Sequence, residues 1–198
     1  ANAISTLGAF AVTGGGAFSL TNAGALSVPG TISASGVTIT AGSVNLTGRV
    51  NAAFNAATVT ATLGTLIQSG TIQAASGVTL SGQTGLTNNG RTAASAIGAT
   101  ITLDAAAGDL INAGTVSAQG FGGSATLTAA GSMTVSGRVL TGFAVREVAV
   151  AGKLTQGGDI ITGAGGIELR AGTDIVQTSG TLASAGDILL TAGRSLVQ

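Results

Sequence analysis

The 198-residue chain has no cysteine, histidine, tryptophan or tyrosine, and a single proline and methionine. Without cysteine there is neither disulfide nor thiol chemistry. Without histidine or cysteine, Ser-His-Asp and Cys-His constellations and the common zinc sites cannot be assembled. Charge is also sparse: seven basic and seven acidic residues give a net charge of zero, which supplies no general attraction for nucleic acid or anionic lipid. No run approaches the roughly 18 apolar residues of a membrane-crossing helix, and no aromatic girdle exists for a membrane barrel. The first residues lack the basic segment of a signal peptide. The expectation is a soluble chain with no nucleic-acid partner, no membrane insertion, no metal and no cofactor.

What is abundant is glycine, 34 residues of it, set among Ala, Val, Ile and Leu in a chain that is 44% hydrophobic. One short phrase recurs: LTNAG at Leu20, LTNNG at Leu86, LINAG at Leu110 and LTQGG at Leu154. Anchored on its first letter, the pattern falls at Leu20, Val44, Leu66, Leu86, Leu110, Met133, Leu154, Ile175 and Leu196, with a mean spacing of about 22 residues, the kind of period that marks a repeat architecture. Each unit continues with a short apolar piece after the glycine, such as GTIS at Gly30 or GTVS at Gly114. An alternating strip then follows, such as VTIT at Val37 or ATITL at Ala99. Alternation with Val, Ile and Thr predicts strands, and the Gly, Ser and Asn between them predict turns.

One such unit cannot bury its apolar face alone, but stacked units can, pairing their backbones with the coils above and below. The predicted fold is therefore all-β: a parallel β-helix, or β-solenoid, of eight to nine coils with three short strands each. Residues 1–16 are expected to form a lead-in or partial coil, and residues 17–198 one continuous repeat domain. An antiparallel sandwich also uses short strands and glycine turns, but it does not require so even a period.

Within the phrase, the leucine and the residue two places on share one side of a strand. This places Asn22, Gln68, Asn88, Asn112, Gln156, Gln177 and Gln198 inward as a structural ladder of amides. Buried amides are costly unless satisfied, so they should bond to one another or to turn backbone. The following glycine is expected to supply a left-handed turn conformation.

Three surface features are candidates for recognition or chemistry. The residue after the corner glycine is arginine at Arg49, Arg91 and Arg138, in alternate coils about 10 Å apart, a stripe suited to a sulfated or carboxylated glycan or simply to charge spacing. The strips contain threonines at Thr38, Thr40, Thr58, Thr60, Thr62, Thr100, Thr102, Thr126 and Thr128. On one outward side they would form the ranked array of an ice-binding solenoid; the plainer reading is that Thr suits exposed strands. Glu147 and Glu168, 21 residues apart, are the natural pair for a polysaccharide-acting β-helix, although the alternation is expected to turn Val148, Val150, Ile167 and Leu169 inward and both acids outward beside Arg146 and Arg170. Asn45-Leu46-Thr47 is an outward glycosylation acceptor by pattern.

Corners like LTNNG joined to strips like GTISASGVTITAG resemble the repeat region of filamentous haemagglutinin-like proteins over essentially all of residues 17–198. That resemblance implies a right-handed β-helix forming the shaft of a secreted bacterial surface adhesin, exported through an outer-membrane secretion partner, with a structural rather than enzymatic role. The sequence has no counterpart of the family's Asn-Pro-containing secretion domain or of its toxin-like segments. GIELRAGTDIVQ and DILLTAGRSLVQ match at an offset of 21 residues, so the repeat runs to the last residue without a polar cap. The expectation is a segment of a longer shaft, or a unit that stacks end to end into a filament, with a host glycan or surface receptor as a further partner.

Overall fold

The computed structural model describes residues 3–198 and consists of strands and turns, with no helix among the described residues. Twenty-seven strands sort into three sheets of nine strands, and all the pairings are parallel. One coil shows how they arise. Arg91–Ala94 lies in the first sheet, Thr100–Ala105 in the second and Asp109–Asn112 in the third; the next strand, Thr115–Ala118, lands in register on Arg91–Ala94. The chain is a β-solenoid of about nine turns of ~21 residues.

Register follows from identical side chains falling on identical slots. In the third sheet Leu26, Val44, Leu66, Leu86, Leu110, Met133, Leu154, Ile175 and Leu196 stack as one column. The second sheet turns Ile39, Val59, Leu80, Leu103 and Leu127 inward on successive coils, each fully buried. At the ends of its strands, where the chain bends, the inward slot is filled by Ala41, Ala61, Ala105, Ala129, Ala149 and Ala171, because a corner leaves room for little more than a methyl group. Each large aliphatic side chain withdrawn from water contributes about 1.5–3 kcal/mol, and a slip of one residue would turn the whole set outward.

The first coil departs from the sequence expectation. Leu20 belongs to the second sheet, where it pairs with Ile39, so LTNAG is not a copy of the corner phrase. The true counterpart is LSVPG, with Leu26 beneath Val44 and Val28 in the slot that most other coils, Leu46 and Val135 apart, fill with an amide. Asn22 therefore stands outside the amide column. Its amide instead bonds the backbone of Ile4, accepting from the N–H at 2.9 Å and donating to the carbonyl at 2.9 Å. Residues of the lead-in join the stack: Phe10–Ala11 pairs with Ile32 and Ser33, and Thr6 bridges to Ser27.

The corner glycine is also required for a different reason than expected. Of the corner glycines only Gly180 has a positive φ. Gly48, Gly70, Gly90, Gly114, Gly137 and Gly158 have ordinary backbone angles, but a Cβ on any of them would overlap the carbonyl oxygen of the corner glycine one coil below. They form a column because the stacked corners leave no space for a side chain. Neighbouring bonds tie the corners together, as from the Thr71 N–H to the Gly48 carbonyl at 3.0 Å and from the Thr115 N–H to the Gly90 carbonyl at 2.9 Å.

Gly114→Ala forces two backbones apart and is expected to cost about 1–3 kcal/mol or more. Gly24→Ala, where an added Cβ meets nothing within 4 Å, should be close to neutral. Urea unfolding of the two variants checks this; equal midpoints would refute the steric account of the glycine column.

Candidate functional site

Inside the coil, the amide column is satisfied mainly by turn backbone. Gln68 donates from Nε2 to the Gly70 carbonyl at 2.8 Å and accepts from the Gly90 N–H at 3.2 Å. Gln156 donates to the Gly158 carbonyl at 2.9 Å and Gln177 to the Gly180 carbonyl at 3.4 Å. One amide pair bonds coil to coil, Asn88 Nδ2 to Asn112 Oδ1 at 2.6 Å, with the Thr92 hydroxyl donating to Asn88 Oδ1 at 3.3 Å. The column is thus Gln68, Asn88 and Asn112, interrupted by Val135, then Gln156 and the half-buried Gln177. Gln198 follows the last strand and is exposed. These amides fix corners; only Gln156, Gln177 and Gln198, next to the open end of the core, also border a hollow there.

The carboxylate pair is not assembled. Arg146 pairs with Glu168 and Glu147 with Leu169, so the two acids occupy slots of opposite parity. Glu168 faces outward and bridges Arg146 at 3.0 Å and Arg170. Glu147 faces inward, fully buried, contrary to the outward placement expected from its sequence. VREVAV contains adjacent charges, so either parity must bury one of them. The strand is held by Val145 and Ala149 over Ala125 and Ala129, which leaves Val148 half-buried and Val150 outside. The two carboxylates lie on opposite sides of one sheet and cannot flank a common glycosidic bond.

Neither carboxylate oxygen of Glu147 has a hydrogen-bond partner, and burial pushes its carboxyl up to about 8 from an ordinary 4.5. Polar orphans gather in this coil: Thr141 Oγ1 and Gln156 Oε1 also lack partners, and Asn112 Nδ2 lies two coils below Gln156 in the same column.

On the outside, the three sheets carry different surfaces. The first sheet displays the column Thr31, Arg49, Thr71, Arg91, Thr115, Arg138, so arginine does alternate from coil to coil. Two of the three are engaged: Arg49 donates to Gln73 at 3.3 Å and Arg138 lies 3.6 Å from Asp159. The third sheet is mixed, with Ser27, Asn45, Ile67, Thr87 and Ile111 in one outward column and Asn45 exposed.

The second sheet is the ordered one. Thr38, Thr58, Thr79, Thr102 and Thr126 occupy one outward column on five successive coils. Beside it runs Thr40, Thr60, Ser81, Asp104, Thr128. Thr62 and Thr100 lie outside these two columns, Thr62 past the strand end and Thr100 one slot earlier, level with Gly77. Thr62 spends its hydroxyl on the Ala41 carbonyl at 3.1 Å. The array ends where Arg146 and Glu168 enter its first column.

Sequence reasoning missed one feature. Phe54, Ile97, Phe121 and Phe143 are exposed at the corner between the first and second sheets, the last three on consecutive coils. Their signal was a large apolar residue within a turn, as in GFGG. The apolar hollow lined by Leu169, Ile175, Leu190 and Leu196 is the open end of the core rather than a cleft in a face.

Compared with known proteins, the chain matches no family model, no curated protein and no solved structure.

Folding holds a proton on Glu147 between pH 4.5 and about 8, so stability falls as pH rises through that window and levels off above it. With no histidine in the chain, few other groups titrate there. Glu147→Gln is expected to flatten the slope and to raise stability at pH 9 by a few kcal/mol. Unfolding midpoints at pH 5, 7 and 9 check this, and an unchanged slope in the variant would refute the assignment.

Proposed function

We propose that this chain is a stiff, non-catalytic shaft segment of a secreted bacterial surface adhesin of the filamentous haemagglutinin type. The observation that carries the reading is the continuity of nine coils in one register around a single, mainly aliphatic core. Such a stack resists bending because every coil is bonded to its neighbours along three sheets, and its length grows by about 4.8 Å with each added coil. The separation of Glu147 from Glu168 speaks for a mechanical rather than a hydrolytic role.

The proposal extends to location and partners. The shaft stands outside the cell, is exported through an outer-membrane partner, and carries an attachment function outward. A chain without cysteine needs no oxidative step after export, and coils can add one at a time to a folded end. The arginine stripe is the weaker part of the reading for glycan attachment, since Asp159 and Gln73 already occupy Arg138 and Arg49.

Rigidity is directly measurable because no native cysteine competes with a label. Thr40→Cys and Arg170→Cys sit in one outward column six coils apart, about 29 Å by the coil spacing. Pulsed electron–electron spin resonance on the doubly labelled protein is expected to give a single narrow distance near that value. A broad or multiple distribution would defeat the shaft reading.

A further inference from the structure

The threonine face of the second sheet is not used by a spacer. Nine of its ten positions in two columns and five coils carry hydroxyls, and none of those nine side chains hydrogen-bonds another described residue. The spacing is set by the fold: about 4.8 Å between coils and about 6.6 Å between alternate residues of a strand. β-Branching restricts χ1 of the eight threonines, and in-register pairing holds their backbones, so hydroxyls, and methyls except at Ser81, repeat along two perpendicular directions.

Strand propensity alone does not explain the pattern, and the chain contains its own control. All three sheets have outward slots on exposed parallel strands. Over the same five coils, the first sheet alternates Thr with Arg, and the third mixes Asn, Ile and Thr in one column. Only the second sheet repeats threonine coil after coil. It is also nearly free of acidic and basic residues: Asp104 is the one in the array, and the cluster of Arg146, Glu168 and Arg170 begins where the threonines stop.

We propose that this face binds ice. A two-dimensional lattice of hydroxyls and methyls with these repeats is close to the oxygen lattice on a prism plane of hexagonal ice. Each hydroxyl can take a lattice position while each methyl borders a cage of water. The lattice is preorganised by the solenoid, so adsorption costs little ordering of the protein. Charged side chains hold water in their own geometry, which makes Asp104 the misfit within the array. The binding face is independent of whether the rod serves as a spacer, and the label distance and the ice measurement test the two separately.

The test is thermal hysteresis and ice-crystal shaping on the purified chain, with circular dichroism to verify each variant's fold. The wild type is expected to facet ice crystals and to separate freezing from melting. Thr79→Arg, at the centre of the array, should lose most of the hysteresis, and Asp104→Thr, which completes the second column, should increase it. Thr87→Arg, outward on the third sheet, should leave it unchanged. Round, unshaped crystals with the folded wild type would overturn the proposal, as would a folded Thr79→Arg variant with hysteresis equal to wild type.

Discussion

Parallel backbone pairing sets the distance between coils at about 4.8 Å, and every other feature of this protein is fitted to that distance. Where strands run, side chains stand perpendicular to the stacking direction and tolerate the approach. At a corner, the chain turns and any Cβ would point along the stack into the carbonyl oxygen of the coil below. Glycine at 48, 70, 90, 114, 137 and 158 removes that atom and lets the three sheets share one pitch. The scarcity of proline belongs to the same constraint, because an N–H is needed at almost every position of the stack. Pro29 occurs in the first full coil, in an exposed corner position.

The same stacking decides what the interior can accept. Like side chains pile onto like, so an aliphatic slot is reinforced by the coils on either side. A polar slot needs a partner in its own turn or in the next coil. Gln68 finds both kinds at its corner, and Asn88 finds Asn112. Glu147 occupies a slot bordered by Leu127 and Leu169, and neither neighbour offers a donor. Burial without compensation favours the neutral acid, which is why this one residue ties the stability of an otherwise almost uncharged core to pH.

How much of this was legible depended on whether the information lay in periodicity or in space. The period, the three strands per coil and the parallel stacking were all written in the spacing of Leu, Val and Thr. Leu20 misled because LTNAG has the leucine, the amide and the glycine of the phrase at the right spacing, whereas the real corner, LSVPG, replaces the amide with Val28. Only pairing, with Leu26 under Val44, separates them. Glu147 misled because VREVAV is ambiguous in parity and valine can face either way. The matching alanines Ala129, Ala149 and Ala171 resolve it, but only once the coils are aligned. The corner glycines were recognised as necessary on the wrong ground, since crowding by another coil leaves no trace in a single repeat.

A solenoid separates what must repeat from what is free to vary. Inward slots and corners are constrained by the coil below, so they change little along the chain. Outward slots touch mainly their two lateral neighbours and water, and each sheet is free to carry its own pattern without disturbing the core. The first sheet uses this freedom to space its arginines, the third shows no order, and the second repeats threonine until charged residues replace it. An outward pattern that is held on one sheet and absent from two otherwise equivalent ones is not required by folding. It therefore reports on something the face meets outside the protein, and it is the part of this chain where function is most directly readable.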